Sequence, residues 1–364
     1  MNSNRQSCSA PSLAGLESGT VAAVVQVPRR RPSIGVWVLA VLSFYTLWLA
    51  YVWTEGKVQT VMENWPIALG MSLGSYAAGA TPVGGGTVGF PVLVLLLGHA
   101  PDVGRDFSFA IQSVGMTSAS LLILCRRQPL HWASLRPALW ATLVGTPVGV
   151  LVIAPWMPEL VVKATFAVMV AAFGVLHIYR SEYFTRPVAA APQRPSLERS
   201  LGITVGLGAS LFVSSVTGVG IDMLLYVALV LICRVDLRIA IPSSVLLMAA
   251  TSLVGVAARW LTGTLNPEVG PLWLAAAPVV VVGAPLGAWA VDRVGRTLTL
   301  SLVFGLCLIQ FIWMLYHERL ALGASGIGAA LAALVALNLT FEFLTRLGLR
   351  EGRQGDSEAS EPSV

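Results

Sequence analysis

Residues 80–93 read ATPVGGGTVGFPVL, in the middle of a 34-residue stretch, Trp65 to Gly98, that contains no charged residue. A helix that crosses a bilayer needs roughly 20 apolar residues at about 1.5 Å each. The stretch is too long for one crossing and hardly long enough for two. Its centre carries three consecutive glycines between Pro82 and Pro91, which regular helix does not accommodate. Irregular backbone is tolerated at bilayer depth only where protein buries it or where it lines a wet cavity. The stretch therefore predicts a helix broken in the interior of a membrane protein.

Composition agrees with that reading. Of 364 residues, 55% are hydrophobic and 11% charged, where a soluble domain would carry about 25% charged residues. The excess of Lys+Arg, 23 against 18 acidic residues, is almost wholly arginine. In a membrane protein it points to cytoplasmic loops, not to nucleic acid. Cys8, Cys125, Cys233 and Cys307 are scattered, and the four histidines are dispersed. Neither a disulfide framework nor a metal site is suggested, and no cofactor is implied. Residues 1–33 form a polar tail that ends in PRRRP. The apolar run 34–53 exceeds the 7–15 residues of a signal-peptide core and reads as an anchoring helix.

A second 34-residue segment, 200–233, resembles the first, with glycines near its middle in SSVTGVGID. Three matches suggest an internal duplication. Residues 81–86 lie over 217–222 at an offset of 136. Residues 111–114 (IQSV) lie over 242–245 (PSSV) at 131, and VGTPVG (144–149) over VGAPLG (282–287) at 138. The expected fold is an all-α polytopic membrane protein of two inverted repeats, 65–179 and 200–317. Each repeat is a re-entrant broken hairpin plus three transmembrane helices. Extra helices at 34–53 and 322–344 flank them, with a linker at 180–199 and a polar tail at 345–364 expected to be disordered.

Charge decides the topology. If every hydrophobic segment crossed once, Lys and Arg would divide thirteen inside against ten outside. If both 34-residue segments dip in and return, the division becomes eighteen against five, as the positive-inside rule requires. Each half then crosses an odd number of times, so the second is inverted relative to the first and both termini are cytoplasmic. Inverted repeats with broken helices that meet near the midplane are an architecture of secondary transporters.

A broken helix offers chemistry. Where a half-helix restarts near Thr87, its first amides lack intrahelical partners and carry partial positive charge, a ready anion site. Gly84, Gly85 and Gly86 expose backbone there, and Thr81 and Thr87 add hydroxyls. The alternative is close helix packing on small residues, which suits GMSLGSYAAGA (70–80) better. In the second hairpin Thr217, Gly218 and Gly220 stand in the same places. Asp222 is a carboxylate in an apolar stretch that would cost about 2.5–3.5 kcal/mol if exposed to lipid. It is either a cap for the half-helix that follows or a proton or cation site. Gln112 and Ser113 on one helix, with Ser243 and Ser244 on another, are candidate path-lining groups or hydroxyls bonded to their own helix. His177 and Gln310 lie near segment ends and are expected at the interface. So are tryptophans 37, 53, 65, 132, 156, 260 and 273. Glu342 and Arg346 have the spacing of a helical ion pair.

The glycine-rich break that leads into GFPVLVLLL, echoed after the central loop by TGVG, resembles the sulfite exporter TauE/SafE family of membrane transporters. The likeness covers roughly residues 65–320. It departs in the second half, where Gly220-Ile221-Asp222 replaces the glycine run. The resemblance implies export of a small sulfur-containing anion, such as sulfite or a sulfonate, across a bacterial cytoplasmic membrane. It implies no enzymatic activity. The rival reading is a membrane scaffold that uses its tails and linker for contacts. The partners expected are a small anionic solute and the bilayer, with homo-oligomer formation left open.

Overall fold

A computed structural model describes residues 34–81, 83–179, 195–294 and 296–359. Among them every regular element is helical. The elements are α1 (Gly35–Thr54), α2 (Val58–Glu63), α3 (Trp65–Ala80), α4 (Gly86–Leu96), α5 (Pro101–Cys125), α6 (Trp132–Trp156) and α7 (Glu159–Tyr179). After the linker come α8 (Pro195–Thr217), α9 (Ile221–Ile232), α10 (Leu237–Leu261), α11 (Val269–Val294), α12 (Arg296–His317) and α13 (Arg319–Ala359). Eight of these are long and apolar enough to cross a membrane: α1, α5, α6, α7, α8, α10, and the apolar parts of α11 and α13. The N-terminal tail and most of the linker lie outside the described residues.

Both 34-residue segments are broken where the glycines stand, between α3 and α4 and between α8 and α9. The first doubles back on itself. A Cβ at Gly70 would lie 3.3 Å from Val92 Cγ1, and one at Gly74 would lie 3.1 Å from Val88 Cβ, the pairing of antiparallel arms. In the second, Gly218 (φ +79°) and Gly220 (φ +103°) turn the chain through a conformation that only glycine adopts readily.

The halves share local geometry at several matching positions, though not at the glycines of the breaks, where Gly220 is left-handed and Gly84 is not. Thr81 Oγ1 donates to the Ala77 carbonyl at 2.8 Å and accepts from the Val83 amide at 3.3 Å. Thr217 does the same with Val213 at 2.9 Å and Val219 at 3.3 Å. The π-turns 92–96 and 228–232 and the 25-residue helices α5 and α10 keep the same offset of 136. So do the left-handed residues Arg127 and Gly263 after those helices. This corrects the pairing read from IQSV and PSSV: Gln112 corresponds to Met248, and Ser244 to Ser108. The first hairpin and the helix after it match without a shorter connection, because both helices start at the same distance from their break.

Packing is also repeated. Arm α3 lies on α11, and arm α8 on α6. A Cβ at Gly283 would overlap Ser75, and one at Gly145 would overlap Ser210 Oγ. The small residues of the two Gly-x-Pro-x-Gly segments thus let each hairpin arm approach a helix of the opposite half. Helices α5 and α10 run antiparallel, with Asp106 beside Arg259 near one end and Phe109 beside Gly255 a turn inward.

Four boundary expectations change. Helix α8 begins at Pro195, inside the expected linker, because proline is well placed in a first helical turn. Its 23 residues are more than an arm that turns back inside the bilayer requires. Helix α13 continues to Ala359, so part of the expected tail is helical. Finally, α13 begins at Arg319 and bends at Gly323 (φ +61°).

Candidate functional site

The two breaks meet. A Cβ at Gly84, in the first, would overlap Gln112 Oε1 and lie 2.9 Å from Asp222 Oδ2 of the second. One at Gly86 would lie 2.5 Å from Val219 Cγ1, 2.6 Å from Gln112 Nε2 and 3.0 Å from Ser108 Cβ. Gly84, Gly85 and Gly86 do not use the left-handed conformation. Gly84 and Gly86 are there because no side chain fits between the tips. Gly85 is less confined, with its nearest neighbours at 3.5 Å.

Gln112 joins the two tips. Its Nε2 donates to the Ser108 carbonyl at 3.0 Å and across to the Gly218 carbonyl at 2.9 Å. Its Oε1 is buried without a partner, and so is Asp222 Oδ2. Both oxygens border the same small space at Gly84, a few ångströms apart. Two orphan acceptors there are costly, since each buried unpaired group forfeits about 1–3 kcal/mol. Asp222 Oδ1 accepts from the Met223 amide at 3.0 Å, so the capping role is met in part. The Gly84 and Gly220 amides add favourable electrostatics to the carboxyl group without closing a hydrogen bond to Oδ2.

Among the described residues no charged side chain offsets Asp222. The titratable groups on the helices around α9 are paired elsewhere. His177 Nε2 lies 3.1 Å from the Tyr226 hydroxyl, Glu198 faces His131 at 3.7 Å, and Arg259 bonds Asp106.

The other sequence candidates are placed as follows. Thr87 Oγ1 donates to the Gly84 carbonyl at 2.6 Å, so Thr81, Thr87 and Thr217 shape the breaks through their own backbone. Ser113 bonds Ala110 within its helix at 2.8 Å. Ser243 accepts from the His131 amide at 2.9 Å and Ser244 donates to Ile241 at 2.9 Å, so the contacts of Ser243 lie at the α5–α6 turn and those of Ser244 within its own helix. His177 is not interfacial. It is buried and stacked on Phe304 at 4.3 Å. Trp273 also points inward, donating to the Ala110 carbonyl at 3.0 Å, whereas Trp53 and Trp156 stand exposed. Glu342 and Arg346 pair at 3.0 Å.

Sequence reasoning missed Ser108 and a buried ionic cluster one turn beyond it. The Asp106 carboxylate, fully buried, accepts from Arg105 Nε at 3.0 Å and Arg259 Nε at 2.9 Å. The available signal was an Arg-Asp pair at the rim of an apolar segment, which reads as an ordinary loop edge.

The tips enclose almost no volume. A cavity of about 10 Å³ lies beside Gly85 and Gln112, at the lower limit for one water molecule. A larger groove of about 780 Å³ between α7 and α13 is lined mostly by Leu, Val and Ala side chains, with Thr165 and Thr340 as its polar members. The candidate site among the described residues is the closed junction of the tips.

Broken helices that present glycine backbone, an amide side chain and a lone carboxyl at the buried centre of an apolar helical protein define a membrane-transporter type of site. The comparisons agree: the sulfite exporter TauE/SafE family matches residues 67–314, and the chain belongs to that family. No curated protein and no solved structure matches it.

Proposed function

We propose that the protein is a secondary transporter that exports a small oxyanion, sulfite or a sulfonate, through the junction of its two hairpin tips. The observation that carries this reading is the meeting of both breaks at Gln112. The substrate is held by the amides of Gly84–Gly86 at the start of α4 and of Gly220 at the start of α9, with Thr81, Thr87 and Thr217 keeping the breaks open to it. The Gly218 amide is already bonded to the Ser214 carbonyl at 2.7 Å and the Val219 amide to Thr217 Oγ1 at 3.3 Å. Gln112 and Ser113 line one side of the path and Ser243 and Ser244 its cytoplasmic end.

Asp222 is the coupling group. In its neutral form its O–H can donate to Gln112 Oε1, which satisfies both orphan oxygens and removes the charge that repels an anion. In its ionised form it opposes anion entry. Substrate and proton are thereby linked at one place.

The inverted arrangement of repeats 65–179 and 200–317 is supported by three of four charge pairs; cytoplasmic termini in a bacterial inner membrane rest on the arginine count and the family. His99 pairs with Glu268, Lys163 with Glu318, Asp106 with Arg259, and His131 with Glu198. Re-entrant hairpins bring the members of each pair to one face. Single crossings separate the first three pairs onto opposite faces. The antiparallel course of α5 and α10 favours the same topology.

Sulfite flux in proteoliposomes tests the reading. Wild type is expected to transport, and Gly84→Ala to fold and transport at least tenfold more slowly. Equal flux from both would overturn the site assignment.

A further inference from the structure

The Arg105–Asp106–Arg259 cluster has no part in the mechanism above, yet its bonding is unequal. Arg259 uses all three guanidinium nitrogens: Nε on Asp106 at 2.9 Å, Nη1 on the Val150 carbonyl at 3.4 Å, and Nη2 on the Thr264 carbonyl at 2.6 Å. Arg105 uses only Nε. Among the described residues its Nη1 and Nη2 have no partner, although the residue is 5% exposed. Neither nitrogen is sealed as Gln112 Oε1 and Asp222 Oδ2 are, so both reach accessible space. One carboxylate thus faces two guanidiniums. The further acid nearby, Asp102, is exposed and takes a hydrogen bond from Asn266 Nδ2 at 3.0 Å, where solvent screens it.

The fold does not require this cluster. At the offset of 136 that relates the halves, Arg105, Asp106 and Arg259 correspond to Ile241, Pro242 and Ile123. Those three positions are apolar, and the charge pair near them, His131 with Glu198 at 3.7 Å, is built from other elements. Buried ion pairs contribute little net stability against apolar replacements, so a cluster confined to one end answers a need of that end. Its position is adjacent to the tips: the Arg105 carbonyl lies against Gly218, and Ser108, one turn on, touches both Gly86 and Gly218.

We infer that Arg105 forms a second anion-binding position, on the side of the tips away from the cytoplasm, where its free Nη1 and Nη2 receive the oxyanion as it leaves them. This rests on the transport reading above. The planar fork suits two oxygens on one centre, as in sulfite, a sulfonate or a carboxylate. A halide cannot engage it in that way.

The test uses right-side-out and inside-out vesicles of the full chain, with sulfite and methanesulfonate as probes. Arg105→Lys keeps a cation beside Asp106 but loses the fork; Arg105→Gln removes the charge. The half-saturating concentration at the outer face is expected to rise about tenfold in Arg105→Lys, as for loss of one charge-assisted bidentate contact. The inner-face value is expected to stay unchanged. Wild-type values at both faces, or an equal loss at both, would overturn the assignment of Arg105 while leaving the tip site standing. Wild-type vesicles that move neither probe would overturn the transport reading itself. If Arg105→Gln does not insert, Arg105→Lys alone decides.

Discussion

Gly84 is a residue at which the two hairpin tips come into contact, and its missing side chain has a measurable consequence. A methyl group there must displace Gln112 Oε1 or Asp222 Oδ2, whereas one at Gly85 meets ordinary contacts. Overpacking of a filled interior costs about 1–3 kcal/mol. Gly84→Ala should therefore lower flux and stability by that order, and Gly85→Ala should change little, as read by transport and thermal unfolding in detergent. Asp222→Asn supplies an amide donor to Gln112 Oε1 in place of a proton. The variant is expected to fold, and its flux should lose the pH dependence of wild type; a pH profile unchanged from wild type would remove Asp222 from coupling. At this scale the sequence was partly legible. Three glycines and a lone aspartate stand out in an apolar run, so Gly84 and Asp222 were visible. Arg105 and Asp106 were hidden because a charged pair beside a helix start looks like any loop edge. Their burial depends on Arg259, 153 residues away.

Among elements, the hairpin arms carry the assembly. Gly202 and Gly206 let α8 lie on Ser134 and Ala138 of α6; a Cβ at Gly206 would lie 2.6 Å from the Ala138 carbonyl. Gly206→Leu should separate the helices and destabilise the protein by about 1–3 kcal/mol or more, seen as a lower melting temperature and as dispersity on gel filtration. The α5–α6 turn gives a pH-dependent prediction. Burial pushes the His131 imidazole below its ordinary range, and the Glu198 carboxylate offsets part of that effect. The unfolded chain then binds the proton more readily than the folded one, so stability falls as pH drops below about 6.5. His131→Gln should flatten this acid-side loss between about pH 7.5 and 5.5. An unchanged slope would remove His131 as its source. The breaks themselves were readable from Gly and Pro. The register of α5 on α10 was not, because a four-residue likeness between IQSV and PSSV outweighed the equal distance of both helices from their breaks.

For the whole molecule, arginine placement decided more than hydropathy did. Ten apolar segments admit either topology, and only the loop charges separate them. The ion pairs that join His99 to Glu268 and Lys163 to Glu318 lie where that count expects them, yet no single segment reveals them. The most direct test of hairpins that enter from opposite faces is accessibility of single cysteines in a chain whose native cysteines are replaced by serine. His99→Cys, Gln128→Cys and Thr262→Cys are to be probed with a membrane-impermeant thiol reagent in intact cells and in inverted vesicles. The account predicts labelling of positions 99 and 262 in intact cells, and of position 128 in inverted vesicles only. Labelling of position 128 in intact cells, with position 99 reached only from the cytoplasmic face, would contradict it.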